Sequence, residues 1–191
     1  MDYIMPYILM ALIVYSMNVA PAFMPSTWII LAFFDIHYKL QILPVVIIGA
    51  IFATLGRITL YHISKEHSHL FLSKKSIKNM EILGNYLNER MKITILFFLI
   101  YAFLPIPSNQ VYVGAGIAKM KVKFIATCFF LGRLFSYFFW VSASHIAVNS
   151  LEGIFSHRFS KVGSLILEIL GFILLYLFTK INWGKLLKVT K

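Results

Sequence analysis

The chain has 191 residues, of which 60% are hydrophobic and only 13% charged. Soluble domains are about a quarter charged, and a globular core of this length cannot bury so much apolar surface, so a soluble enzyme and a disordered chain are excluded. A single cysteine, Cys128, excludes an intrachain disulfide framework. The net charge of +11 comes from basic residues beside apolar runs, which is typical of a membrane face rather than of a nucleic-acid site.

Five apolar runs follow one another along the chain. They cover residues 3–34, 40–63, 93–118, 124–148 and 162–179. A hydrocarbon core about 30 Å thick needs about 20 helical residues, so the second, fourth and fifth runs are predicted to be transmembrane helices. The first run is too long for one crossing and too short for two, and the third run is interrupted near its middle.

Paired prolines mark the two irregular runs: Pro21 with Pro25 in the first, and Pro105 with Pro107 in the third. Proline lacks an N–H donor and clashes with the preceding turn, so each pair is expected to end a helix. Irregular backbone at membrane depth is tolerated only where it is buried in protein or lines a watery cavity. We therefore predict a re-entrant hairpin in each run, with a proline-kinked transmembrane helix as the alternative.

Neutral hydrogen-bonding side chains stand beside both breaks. They are Asn18, Ser26, Ser108, Asn109 and Gln110. Such side chains either satisfy backbone groups that the prolines leave without partners or line a polar path between the tips of the two hairpins.

The two long runs carry the same short motif, Leu-Gly-Arg-x-x-x-Tyr, at residues 55–61 and 131–137. Each motif follows a proline-broken run, so the order of hairpin and helix occurs twice. Small membrane transport proteins are often built from repeats of this kind. Chance similarity between two apolar sequences is the alternative.

Basic residues predict how the two halves are oriented. The segment 64–92, the link 119–123 and the tail beyond residue 179 hold 13 of the 18 basic residues, whereas the links 35–39 and 149–161 hold three. The positive-inside rule places the first group in the cytoplasm. The membrane crossings agree with this assignment only if 93–118 enters and leaves the membrane on the same side. The two repeats are therefore predicted to be inverted.

The predicted fold is an all-α polytopic membrane protein with a single membrane domain. Repeat one covers about 3–63, repeat two covers about 93–148, and an additional C-terminal transmembrane helix covers about 162–179. Between the repeats, apolar residues of 64–92 recur at three- and four-residue steps, which predicts an amphipathic helix lying on the cytoplasmic surface.

Arg57 and Arg133 are the strongest candidates for function. A cation deep in a membrane helix costs about 3 kcal/mol or more, so it normally faces protein or water and has a partner. The glycine directly before each arginine allows close approach of another helix or of the hairpin tip. Tyr61 and Tyr137, four residues further on, share a helix face with the arginines and can donate hydrogen bonds to whatever the arginines hold. Alternatively, each arginine caps carbonyls that the prolines of the opposite hairpin leave free.

Glu168 is the only acidic residue inside a spanning run. It either forms a buried ion pair with one of the arginines or exchanges protons. The sequence contains no nucleophile elbow, metalloprotease motif, phosphate-binding loop or paired-cysteine motif. We therefore expect no enzyme activity, no cofactor and no metal site.

These motifs, in this order, resemble the DedA/VTT superfamily, also described as the SNARE-associated Golgi protein domain. The resemblance runs over about residues 15–145. Its matching pieces are 18–26, 56–61, 103–107 and 115–120, with Phe124, Gly132 and Trp140. It implies lipid scrambling or flipping between leaflets, including the recycling of polyprenyl-phosphate carriers in bacterial members.

The chain departs from this family at its charged positions. Members with carrier activity show acidic residues flanking the first proline loop and arginines around the second. The corresponding positions here are occupied by Met17, Asn18 and Thr27, and by Ala102 and Ser108. Charge recognition would then be left to Arg57, Arg133 and Glu168.

The sequence and the resemblance together predict a lipid transporter of the plasma membrane, a flippase or scramblase, that moves polyprenyl-phosphate or phospholipid. Its C-terminus and the segment 64–92 are expected in the cytoplasm. The expected partners are membrane lipids with anionic headgroups, and a second copy of the chain as a further candidate, but not nucleic acid. Two alternatives stay open: a proton-coupled transporter of a small polar solute that uses Glu168, and a non-transporting membrane scaffold whose 64–92 segment recruits a partner.

Overall fold

The computed structural model describes residues 4–21, 26–103 and 108–148, together with positions 173, 176, 177, 180 and 181. The described residues form helices and no strand, which confirms the all-α prediction. The helices are α1 (Met5–Val19), α2 (Thr27–Tyr38), α3 (Ile42–Phe71), α4 (Lys74–Glu89), α5 (Met91–Phe103), α6 (Asn109–Ile117) and α7 (Val122–Val148). Most of the predicted C-terminal helix, 162–179, lies outside the described residues.

Within the described part of the chain, two helices are long and apolar enough to cross a membrane. They are α3, with 30 residues, and the first 23 residues of α7, as the lengths of the runs predicted. Their outward faces remain apolar: α3 exposes Leu43, Ile47, Ile51 and Leu55 at four-residue spacing, and α7 exposes Phe135, Phe138 and Phe139. A continuous apolar stripe of this kind fits contact with lipid or with another apolar surface better than contact with water.

Both irregular runs are interrupted in the structure. α1 ends at Val19 before α2 begins at Thr27, and α5 ends at Phe103 before α6 begins at Asn109. α1, α2 and α6 have 15, 12 and 9 residues, so each spans about 22 Å or less and none of these three crosses a 30 Å core alone. The described part of α5 has 13 residues, and the residues that follow it lie outside the described part of the chain. Pro21 lies in the first break, whereas Pro25, Pro105 and Pro107 lie outside the described residues.

The two halves of the chain use the same elements in the same order. In each half two short helices precede one long helix, and the first short helix packs on the long helix of its own half (α1 on α3, α5 on α7). The second short helix packs on the long helix of the other half (α2 on α7, α6 on α3), and α3 packs on α7. The link between the second short helix and the long helix is also similar in the two halves. Each of these links contains a described non-glycine residue with positive φ, Lys39 (51°) in the first half and Lys119 (53°) in the second.

The end of α3 lies beside the start of α7. The Tyr61 hydroxyl donates a hydrogen bond of 2.7 Å to the carbonyl of Met120, which stands just before α7. Arg57 and Arg133 stand near the middle of their helices.

The amphipathic segment between the halves forms α4. Its first turn is capped by Ser73, whose hydroxyl accepts a hydrogen bond from the Ser76 amide. The apolar side chains of Met80 and Leu83 are buried, and Gly84 lies directly against the carbonyl of Ala118. The predicted helix is therefore present, but its apolar face packs against the protein, chiefly α5 and α6, rather than against a lipid surface.

Replacing Lys39 with glycine should raise stability, because its backbone is left-handed. An L-residue in this region costs about 1–2 kcal/mol, while glycine's extra freedom in the unfolded chain cancels about 0.5–1 kcal/mol of the gain. We expect Lys39→Gly to raise the free energy of unfolding by up to about 1 kcal/mol, measured by thermal unfolding in detergent. Gln41→Gly, two residues along in an extended conformation, is the control and should not stabilise.

Candidate functional site

A group of polar side chains is buried at the centre of this apolar fold. None of its members is more than 8% exposed: Asn18, Arg57, Ser108, Asn109, Arg133 and Ser136. We call these six residues the central polar cluster. They come from α1, α3, the second break and α7, so they are brought together by the packing of both halves on each other.

Arg57 connects α3 to the end of α1. Its Nη1 donates a hydrogen bond of 3.3 Å to the carbonyl of Asn18, and its Nε has no hydrogen-bond partner among the described residues. The prediction that each arginine caps carbonyls of the opposite hairpin stays a prediction, because the prolines of that hairpin lie outside the described residues. The carbonyl that Arg57 caps here belongs to its own half, because α1 packs on α3.

Gly56 permits this approach, as the sequence predicted. A Cβ added at Gly56 would lie 2.7 Å from both the Cβ of Asn18 and the carbonyl oxygen of Tyr15. Contacts so short with main chain do not occur between real Cβ atoms, so only glycine fits there. The motif's glycine therefore sets the distance between Arg57 and α1.

Asn18 bridges the first break. Its Nδ2 donates to the carbonyl of Val14 at 2.8 Å and to the hydroxyl of Thr27, the first residue of α2, at 3.1 Å. Its Oδ1 is buried and has no hydrogen-bond partner within the described part of the chain. A buried acceptor without a partner is costly, and it is available to a donor group of a ligand or to water.

The second break meets the first. Asn109, the first residue of α6, donates from Nδ2 to the carbonyl of Ala20 at 3.3 Å. Ser108 beside it is buried, Gln110 is half-buried, and Ser26 of the first break is exposed. The structure thus brings Asn18, Ser108 and Asn109 into the interior, and leaves Ser26 at its edge.

Arg133 lies against aromatic rings on its own helix. Its guanidinium carbon is 5.1 Å from the ring centre of Phe129 and 5.6 Å from that of Tyr137. It is also close enough to Arg57 for the two like charges to repel each other. Two neighbouring buried cations are unfavourable unless negative charge or dipoles lie close to them.

Three tyrosines surround the arginine pair. Tyr101 and Tyr112 interact electrostatically with both arginines, and Tyr137 interacts with Arg57. The sequence pointed to Tyr137 but missed Tyr101 and Tyr112. A signal for Tyr112 was present, because it stands three residues after Asn109 and shares its helix face.

Tyr61 does not have the role that the sequence predicted for it. Its hydroxyl donates to the carbonyl of Met120, so it ties α3 to the link before α7 instead of facing a group held by Arg57. The spacing of four residues placed Tyr61 on the right face of α3. It could not show that this part of the face is covered by the end of α6.

The central polar cluster contains two arginines and no acidic residue. Within the described residues the salt bridge present is the surface pair Lys119–Glu81, at 2.7 Å, and no carboxylate pairs with Arg57. The same residues contain no group of three or more side chains that would hold a metal ion. Glu168 lies outside the described residues. Comparison of the chain with protein-family models, with curated proteins and with solved structures gave no match.

Proposed function

We propose that this chain is a multi-pass membrane protein that moves lipids with anionic headgroups between the two leaflets. The observation that carries the proposal is the buried pair Arg57 and Arg133. The pair stands near the middle of two helices that are long enough to cross a membrane, beside two helix breaks that touch each other. Ionisable residues buried in membrane-spanning helices are rare and usually mark a functional site.

The proposed topology is an inverted repeat with a re-entrant hairpin in each half. It is supported by short helices that cannot cross a membrane alone, by the repeated packing scheme and by the bias of basic residues. In this topology α1–α2 enters from the outer face and α5–α6 enters from the cytoplasmic face. The two breaks then meet near the midplane, where irregular backbone is covered by protein.

The proposed mechanism lowers the barrier for a headgroup and leaves the acyl chains in the bilayer. A charged headgroup in hydrocarbon loses its hydration, and the guanidinium groups of Arg57 and Arg133 replace part of it with charge-assisted hydrogen bonds. Tyr101 and Tyr137 interact electrostatically with Arg57 and can contribute dipoles, whereas the Tyr112 hydroxyl donates to the carbonyl of Ile125. A phosphate oxygen carries the charge and acceptor geometry that planar guanidinium groups bind best.

The resemblance to the DedA/VTT superfamily supports the same class of function. It implies movement of polyprenyl-phosphate or phospholipid, although the acidic and arginine positions of its carrier-active members are occupied here by uncharged residues. Under our proposal the arginines of the repeated motif take over the recognition of the headgroup. The transporter would then need no dedicated phosphate-binding loop.

Reconstitution into liposomes with fluorescent lipids of different headgroups tests this proposal. We expect the wild type to move phosphate-monoester and other anionic lipids at least about tenfold faster than protein-free vesicles, a difference of about 1.4 kcal/mol in barrier height. Arg57→Ala and Arg133→Ala should each reduce that rate, and should affect zwitterionic lipids less.

Two outcomes would contradict the proposal. If the wild type moves no lipid above the protein-free rate, lipid transport is wrong. If both arginine variants move every lipid at the wild-type rate while remaining folded by size-exclusion chromatography, the arginines have no part in the transport.

A further inference from the structure

The two halves of the fold form equivalent seams, and these seams are closed in different ways. One seam runs between α6 and α3, and the other between α2 and α7. In the α3–α6 seam the main chains touch: a Cβ added at Gly116 would lie 2.5 Å from the carbonyl oxygen of Tyr61. The Tyr61 hydroxyl also bonds to the carbonyl of Met120, which follows α6. Movement of this seam would break main-chain contacts.

α4 holds the α3–α6 seam from the side. Gly84 lies against the carbonyl of Ala118, directly after α6. The Lys119 ammonium pairs with Glu81, and the Lys121 amide donates to the Asn88 side chain at 3.0 Å. α4 follows the first half of the chain, and the stretch in the corresponding place after the second half begins at residue 149, outside the described residues.

The contact at the α2–α7 seam is made by two stacked indole rings, whereas the contact at the α3–α6 seam is made by main chains. Trp28 and Trp140 stack with ring centres 5.4 Å apart and an angle of 27° between the rings. Both side chains are half-buried, and α2 packs on α7 less extensively than the shorter α6 packs on α3. Side-chain rotation can open a contact of this kind without displacing a helix.

A chain of polar groups leads from this seam to the central polar cluster. Ser26 is exposed at the start of α2, and Thr27 beside it contacts the side chain of Asn18. The carbonyl of Asn18 in turn accepts the hydrogen bond of Arg57. The matching position of the second break is closed, because Ser108 is only 1% exposed.

We infer that the α2–α7 seam is the lateral gate through which a lipid headgroup enters the central polar cluster, and that Trp28 and Trp140 are the gate residues. This inference rests on the proposed lipid transport. The headgroup passes Ser26 and Thr27 to reach Arg57, while the acyl chains remain outside between the parted indoles. The α3–α6 seam stays closed during this step.

The gate faces the outer leaflet if the predicted orientation holds. Trp140 stands seven residues after Arg133, about 10 Å further along α7 toward its C-terminal end. The bias of basic residues assigns that end of α7 to the outside. Entry from the cytoplasmic leaflet would then need a different opening.

Cross-linking the gate tests the inference. We would replace Cys128, the single cysteine, by serine and add Trp28→Cys with Trp140→Cys, in full-length protein in liposomes. A short bis-methanethiosulfonate reagent should reduce the movement of anionic lipid at least about tenfold, corresponding to about 1.4 kcal/mol, and a reducing agent should restore it. In the same Cys128→Ser background, Glu81→Cys with Lys119→Cys is the control, and its cross-linking should leave the rate unchanged.

The outcomes separate the gate from the transport activity. If cross-linked Trp28→Cys/Trp140→Cys protein moves lipid as fast as the reduced protein, while Arg57→Ala is slow, the gate is wrong and lipid transport stands. If the wild type moves no lipid, both are wrong. As a second test, Trp28→Phe with Trp140→Phe should keep a rate near that of the wild type, whereas Trp28→Ala with Trp140→Ala should be faster; a folded alanine pair with a slower rate would overturn the gate.

Discussion

Replacing Arg57 with methionine should leave the protein as stable as the wild type or more stable, and should reduce the movement of anionic lipid at least about tenfold. The guanidinium is buried, makes one long hydrogen bond and lies near a second cation. Replacing a buried ion pair with apolar side chains of similar volume is often neutral or stabilising, by about 1–4 kcal/mol, and Arg57 has no acidic partner among the described residues whose charge would be left buried alone. Loss of the bond to Asn18 opposes this gain by about 1 kcal/mol, so we expect a net gain in stability between zero and about 3 kcal/mol.

The expected rise or lack of change in stability, together with the fall in the rate of lipid movement, identifies the role of Arg57. If its role were only to cap the end of α1, Arg57→Met would reduce the thermal midpoint in detergent and leave the lipid rate of the folded fraction unchanged. Lys65→Met is the matched control, because it removes an exposed positive charge two turns further along α3 and should change neither quantity. Arg57→Lys keeps the charge without the planar fork and should give an intermediate rate.

Much of the fold could be predicted from local properties of the sequence. The lengths of the apolar runs predicted the two long helices. The first proline pair predicted the end of α1, which stops two residues before Pro21, because a missing N–H acts on the backbone whatever surrounds it. The end of α3 was less predictable. The apolar run stops at residue 63, but the helix continues to Phe71, since Ser64, Lys65 and Glu66 change the hydropathy without interrupting the backbone hydrogen bonds.

The candidate site was predictable only in part, because its geometry depends on which helices pack together. The repeated motif pointed to both arginines, and the glycine before Arg57 correctly indicated a close helix contact. The partner that accepts the hydrogen bond of Arg57, the presence of Tyr101 and the stacking of Trp28 on Trp140 all depend on contacts between distant parts of the chain. Neither hydropathy nor spacing contains that information.

Replacing Gly56 with alanine should destabilise the protein and slow lipid movement together. The added methyl would lie 2.7 Å from the carbonyl oxygen of Tyr15, so α1 has to move away from α3. Overpacking of this kind typically costs about 1–3 kcal/mol. Because the same displacement carries the carbonyl of Asn18 away from Arg57, the rate of anionic-lipid movement should fall even in the protein that remains folded. Thermal unfolding in detergent and scrambling in liposomes measure the two effects.

The direction in which Gly56→Ala changes the stability tests whether α1 contacts α3 closely at this position. In a helix surrounded by open space, glycine to alanine stabilises by about 1 kcal/mol, because alanine restricts the unfolded chain more and favours the helix. A higher thermal midpoint for Gly56→Ala would therefore show that α1 does not approach α3 as described. Leu55→Ala changes the neighbouring residue, whose side chain is 45% exposed, and should leave the contact intact. A fall in stability for Gly56→Ala alone would locate the effect at the face of α3 that holds Arg57 against α1.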